Sequence, residues 1–103
     1  MIISTTKVIA FKQATISNSA VTLTTALKFV FTAAQIDASS RARISCDTQP
    51  VRYRYDGTAP DANTGHILPT NTTIELLGNA NIRALQFIRQ GGSDGTVSIT
   101  LEG

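Results

Sequence analysis

The chain has 103 residues, a formal net charge of +2 and charged side chains at 16% of its positions. One domain is expected over residues 1–103, because a single hydrophobic core serves chains of this length. The low charged fraction argues against nucleic-acid binding, which needs concentrated Lys and Arg. Residues 1–7 lack the apolar core of a signal peptide, and no run is long enough to predict a membrane span.

Apolar and polar residues alternate over most of the chain, which is the pattern of half-buried β-strands. Seven to eight short strands are predicted, separated by turn residues, at 9–16, 21–24, 27–32, 43–46, 51–55, 73–76, 82–88 and 96–101. Residues 33–40 contain good helix formers and predict at most one short helical turn. The expected fold is an all-β, single-domain antiparallel β-sandwich or a jelly-roll-like barrel.

Residues that could support catalysis or metal binding are few. Cys46 is the single cysteine, so no disulfide forms within the chain, and Cys46 with His66 supplies too few ligands for zinc. No serine or cysteine lies in a nucleophile-elbow context. We therefore expect a protein without enzymatic activity, cofactor or metal, in which Cys46 is a small buried apolar residue.

Residues 51–68, VRYRYDGTAPDANTGHIL, are the most distinctive part of the sequence. Asp56, Asp61 and Asn63 lie in one glycine-containing loop, and carboxylate and amide oxygens are ligands that calcium prefers. Their spacing does not match the twelve-residue calcium loop, and no Glu closes it. The favoured interpretation is a loop in which these side chains bind their own turn backbone.

Arginines are concentrated before and within this segment. If the strands on either side of residues 47–50 pair as a hairpin, their arginines form a cationic ladder. Like charges side by side require interleaved carboxylates, such as Asp47 and Asp56, or an acidic partner. A solvated face with local ion pairs and a protein-contact surface both remain open, whereas nucleic acid is disfavoured because lysine is scarce. The arginines concerned are Arg41, Arg43, Arg52 and Arg54.

Several features of the second half of the chain occur together in a recognisable order. Residues 51–60 read VRYRYDGTAP, residues 65–68 read GHIL, and IRALQFI, a Gly-Gly turn and VSITL follow at 82–88, 91–92 and 97–101. Over about residues 40–101 this order resembles a family of small proteins encoded among the virion genes of tailed phages and prophages. The DGTAP loop also resembles, over about fifteen residues, immunoglobulin-like modules appended to carbohydrate-active enzymes.

The phage resemblance implies a virion structural protein, most simply a capsid decoration (cement) protein that binds and stabilises the assembled head. The implied partners are the major capsid protein or other virion proteins, with the chain acting as a trimer or dimer. Its implied location is the capsid surface, after synthesis in the host cytoplasm. Residues 1–3 and 97–101 are then expected to extend the sheet edge of a neighbouring chain.

Two alternatives stay open. The first is a head–tail connector or tail component. The second is a carbohydrate- or receptor-binding module on the virion surface, which a solvent-facing platform of Tyr53 and Tyr55 would favour. The residues expected to contact a partner are Arg41, Arg43, Arg52, Arg54, Asp56, Asp61, Asn63 and His66.

Overall fold

The computed structural model describes residues 7–103, so the edge strand expected at residues 1–3 lies outside the described residues. Within residues 7–103, strands dominate and two short helices interrupt them. In chain order the elements are β1 (Val8–Ile16), β2 (Val21–Thr22), α1 (Ala33–Ala38), β3 (Arg41–Asp47), β4 (Val51–Arg54), β5 (His66–Leu68), β6 (Thr72–Leu77), α2 (Asn79–Arg83), β7 (Gln86–Arg89) and β8 (Gly95–Glu102).

The strands of residues 7–103 form two four-stranded sheets. The first sheet has the order β1-β8-β3-β6 and the second has the order β2-β7-β4-β5. Every pairing between named strands is antiparallel. Eight strands in this order form a jelly roll, which combines two Greek keys. The predicted all-β sandwich is therefore confirmed, in its jelly-roll form.

The hydrophobic core lies between the two sheets. β8 shows the alternation most clearly, because Val97, Ile99 and Leu101 are fully buried while the residues between them are partly exposed. The rings of Phe29 and Phe87 meet in this core at a centroid distance of 5.6 Å. Other buried apolar residues are Ile16, Val21, Leu23, Ile44, Val51, Leu68, Ile82 and Leu85.

The helical turn expected within residues 33–40 is confirmed as α1. Its start is fixed by a capping box in which Gln35 N donates to Thr32 Oγ1 at 3.1 Å and Thr32 N donates to Gln35 Oε1 at 3.0 Å. These two bonds satisfy backbone donors that a helix end would otherwise leave unpaired. A short helix can therefore begin at a defined residue despite its six-residue length.

Two stretches differ from their predicted strands. Residues 27–31 turn instead of extending, because Leu27 and Val30 adopt positive φ angles of 62° and 52°. Phe29 and Phe31 are buried, whereas Leu27 is 95% exposed. The start of the predicted strand 82–88 is instead part of α2, and β7 occupies only its second half. The chain thus has a second short helix beyond the one predicted.

The connections between strands fall at the two ends of the sandwich. Antiparallel order places residues 17–20, 48–50, 69–71 and 90–94 at one end, which we call the turn end. Residues 23–40, 55–65 and 78–85 lie at the other, the crossover end. There the side chain of Asn79 donates to the carbonyls of Ile36 and Ser39, both at 2.8 Å, and so ties α2 to α1.

Of the helices in residues 7–103, none has the length and apolar character needed to cross a membrane.

Two expectations about strand partners are wrong. β3 and β4 do not form a hairpin through residues 47–50, because β3 pairs with β6 and β8 while β4 pairs with β5 and β7 in the opposite sheet. Thr48 at φ 68° and the following Pro50 turn the chain between the sheets. Residues 97–101 cannot extend a neighbour's sheet edge, because β8 is paired on both sides within its own sheet.

The edge strand β1 carries features that oppose pairing with another chain. Lys12 lies opposite the buried Ile99, so its side chain leaves the strand on the core-facing side, at the rim of the sheet where it is exposed. Inward-pointing charges on edge strands block edge-to-edge association. Lys28 Nζ also donates to the carbonyl of Thr15 on the same strand at 2.9 Å. This edge is therefore poorly suited to pairing with a further strand.

Candidate functional site

The four arginines do not form one cationic ladder. Arg41 and Arg43 lie on β3 in the first sheet, whereas Arg52 and Arg54 lie on β4 in the second. The carboxylates that balance the first pair also differ from those expected, since Asp47 is not one of them. Arg41 Nε donates to Glu102 Oε1 at 3.1 Å, and Arg43 Nη2 donates to Glu75 Oε1 at 2.7 Å.

The outer face of the first sheet combines these ion pairs with exposed apolar side chains. Val8, Phe11 and Leu77 are 58%, 57% and 63% exposed. Strand register places them in two neighbouring rows with the charged residues between them. We call this surface the two-row patch, with rows Phe11, Thr100, Arg43, Glu75 and Val8, Glu102, Arg41, Leu77.

Arg52 binds the loop that follows its strand. Its Nε donates to the carbonyl of Ala62 at 3.1 Å and its Nη1 donates to the carbonyl of Gly65 at 2.8 Å. Gly65 has a φ of 141°, and a β carbon there would lie 3.2 Å from side-chain carbons of Arg52 and Pro60. The arginine therefore holds residues 62–65 against β4, and its guanidinium is bound to backbone oxygens of the loop.

Arg54 forms an ion pair with Asp56, two residues further along. Arg54 Nε donates to Asp56 Oδ1 at 3.1 Å, and the backbone N–H of Thr58 donates to the same oxygen at 3.3 Å. The hydrogen bond from Arg54 is the main cause that lowers the pKa of Asp56 from 3.8 to about 2. The same bond raises the pKa of Arg54 above its usual range. Both groups stay charged at neutral pH.

Asp61 and Asn63 stabilise the loop locally. Asp61 Oδ1 accepts from the backbone N–H of Asn63 at 2.8 Å, and this bond is the main cause that lowers the pKa of Asp61. Asp61 and Thr64 also exchange backbone hydrogen bonds at 3.0 and 3.3 Å. The predicted turn chemistry is confirmed for Asp56 and Asp61, whose carboxylates accept from the backbone N–H groups of Thr58 and Asn63, whereas Asn63 takes part through its backbone. Among residues 7–103, no three Asp, Glu, His or Cys side chains come close enough to hold a metal ion.

Three rings cluster where β4 and β5 meet the loop. Tyr53 lies opposite His66 in the register, with ring centroids 5.3 Å apart, and packs on the buried Phe87 at 6.4 Å. Tyr55 stacks on His66 at 5.9 Å with an angle of 21° between the planes, and on Tyr53 at 6.2 Å. Such offset arrangements are favourable for aromatic pairs. Tyr53 is half-buried, and burial raises its pKa, whereas Tyr55 is 37% exposed.

A pocket of about 180 Å³ opens beside this cluster at the crossover end of the second sheet. Its walls are Arg54, Tyr55, Asp56 and His66, and we call it the end pocket. It combines an aromatic wall with a guanidinium and a carboxylate that are already paired. It can therefore offer hydrogen-bond donors and acceptors next to an apolar ring face.

The structure thus divides the residues predicted to contact a partner into separate groups. Arg54, Asp56 and His66 come together at the end pocket, Arg52, Asp61 and Asn63 stabilise the adjoining loop, and Arg41 and Arg43 lie on the other sheet. Sequence reasoning missed the carboxylates of the two-row patch, Glu75 and Glu102. It named Tyr55 as part of a possible platform but did not place it beside Arg54 and Asp56. The signal in the sequence that pointed to Tyr55 was the alternation of tyrosines and arginines in residues 52–55. That Tyr53 lies opposite His66 could not be predicted without the register between β4 and β5.

Comparisons with protein-family models, with curated proteins and with solved structures found no match. The function is therefore inferred from the geometry of these two surfaces and from the sequence resemblance.

Proposed function

We propose that this protein is a phage virion structural protein that binds the assembled head as a decoration protein. Its partner is the major capsid protein, and the two-row patch is the surface that contacts it. The observation that carries the proposal is the exposure of Val8, Phe11 and Leu77 on the same sheet face as two arginine–carboxylate pairs.

The composition of the two-row patch suits contact with a protein. Interfaces between folded proteins are enriched in aromatic residues and arginine and combine apolar contacts with hydrogen bonds. Phe11 and Leu77 provide apolar contact area at opposite edges of the sheet. Between them, Arg43 and Glu75 are each about half exposed and can exchange hydrogen bonds with a partner.

The fold and the resemblance both support this proposal. Jelly rolls occur in viral capsid proteins, but also in lectins and cupins, so the fold alone does not assign a function. The phage-like sequence features extend over about residues 40–101, which include β3 to β8. The guarded edge of β1 favours contact through a face of the sandwich over strand pairing at that edge.

The protein would stabilise the head through thermodynamic linkage between its own binding and the assembly of capsid subunits. A protein that binds a site formed by several capsid subunits in the assembled lattice, and not the free subunit, stabilises the lattice by mass action. No chemical step is involved. A trimer or dimer of the chain would match a lattice position of corresponding symmetry, and several copies of the patch would then bind together.

The decisive experiment is co-sedimentation with DNA-free heads assembled from the major capsid protein of the same genome. We expect saturable binding to assembled heads and none to unassembled subunits. Phe11→Ser combined with Leu77→Ser should abolish it. The matched control is Ile67→Ser, because Ile67 is 49% exposed but lies on β5 in the second sheet.

Absence of binding to heads would refute the decoration role. Binding to purified tails in place of heads would instead support the connector or tail alternative. Binding to heads that survives the Phe11/Leu77 double substitution would keep the role but move the contact away from the two-row patch.

A further inference from the structure

We propose that the end pocket binds a single sugar ring, a neutral hexopyranose such as the terminal unit of a surface glycan. The proposal is independent of the two-row patch, since the pocket lies at the crossover end of the second sheet and the patch on the outer face of the first. One copy could therefore contact a capsid and a sugar at the same time.

The aromatic wall supplies the first requirement of a sugar site. A pyranose presents a face of C–H groups, which packs well on an exposed ring. Tyr55 is partly exposed and is held in place by offset contacts with His66 and Tyr53. Tyr53 in turn packs on the buried Phe87, so the wall is anchored to the core. A pre-positioned wall reduces the entropy lost when a ligand binds.

The paired charges supply the second requirement. Sugar hydroxyls both donate and accept hydrogen bonds, and the pair of Arg54 and Asp56 offers a guanidinium and a carboxylate at the same wall. Asp56 is a carboxylate at neutral pH, where it can only accept hydrogen bonds, so donors and acceptors lie side by side in the pocket. Charged partners also form stronger hydrogen bonds than neutral ones do.

The same charges disfavour other ligand classes. A phosphate or nucleotide needs unbalanced positive charge, but Arg54 is neutralised by Asp56, and Asp61 also acts on it electrostatically. A purely apolar ligand would cover polar groups without binding them, which costs free energy. The volume of about 180 Å³ is below the roughly 300–1,000 Å³ of drug-sized sites, which fits one ring.

The test is NMR titration of the intact protein with methyl glycosides of glucose, galactose, mannose and N-acetylglucosamine. For a ligand this small we expect a Kd on the order of millimolar, with saturable shifts of the Tyr55 and His66 ring signals. Tyr55→Phe should keep the affinity within about twofold, because the ring face remains. Tyr55→Ala and Asp56→Asn should each weaken binding at least about tenfold.

Phe11→Ala is the control, because it removes an exposed aromatic ring from the other sheet and should leave the titration unchanged. The absence of saturable shifts with all four glycosides would overturn the proposal, as would equal affinity of the Tyr55→Ala variant. Neither result would affect the decoration role, because head binding is measured separately and should be unchanged by Tyr55→Ala.

Discussion

Replacing Arg52 with methionine tests whether this arginine fastens the loop at residues 55–65. Methionine keeps the apolar stem of the side chain but removes the donors to the carbonyls of Ala62 and Gly65. Hydrogen bonds from charged donors contribute about 1.5–3 kcal/mol each when buried. The bond to Ala62 is exposed and the bond to Gly65 is only partly buried, so a total loss of about 2 kcal/mol is expected.

For a domain of this size, that loss corresponds to a decrease in Tm of roughly 8–16 °C. The matched control is Arg43→Met, which breaks one ion pair between side chains that are about half exposed. Such surface pairs contribute at most about 1 kcal/mol. The free energy of unfolding of both variants is measured by urea denaturation, and the amide exchange rates of Asp61 and Thr64 should rise only in Arg52→Met. Equal stabilities for the two variants, with unchanged exchange, would refute the role of Arg52 in holding the loop.

Three further predictions concern other parts of the molecule. The carboxyl carbon of Asp56 should titrate by NMR with a midpoint of about 2, and Arg54→Met should shift that midpoint up towards 3.8. Because the folded-state pKa is the lower one, the stabilisation by this pair is complete above about pH 3.8 and is lost as the pH falls through 2. Gly95→Ala should destabilise the protein by about 1–3 kcal/mol in thermal denaturation, because its β carbon would overlap a neighbouring backbone carbonyl. Gly91→Ala, where nothing lies within 4 Å, is its control, and an equal loss there would contradict the steric argument. The thiol of Cys46, buried and with a raised pKa, should react with a disulfide reagent only after denaturant is added, and fast reaction of the native protein would disprove its burial.

The fold class was predictable because the alternation of side chains records which side of each strand faces the core. In β8 this pattern gives the buried positions Val97, Ile99 and Leu101 directly. The pattern does not record which strand lies beside which. Residues 48–50 look like a hairpin turn, yet the positive φ of Thr48 turns the chain across to the other sheet. The sheet to which each strand belongs could therefore not be predicted from local sequence patterns.

The same limit applies to the candidate site. The sequence draws attention to Arg52 and Arg54, but the partners of Arg52 are backbone carbonyls, which every residue has and no residue type reveals. The opposition of Tyr53 and His66 depends on how β5 returns after the loop. The ion pair between Arg54 and Asp56 was partly predictable, because a carboxylate two positions from an arginine is within reach of its guanidinium.

The central position of β8 affects how the chain reaches its folded state. Among the strands of residues 7–103, β8 is the one partner of β1 in the first sheet, so Val8 can pair with Glu102 only after residue 102 has been synthesised. Pairings of such long sequence separation slow folding. Until β8 inserts, β1 has no partner in that sheet and β3 lacks one of its two neighbours. We therefore expect folding of the first sheet to follow synthesis of β8, and deletion of this strand to leave a chain that aggregates instead of a smaller folded domain.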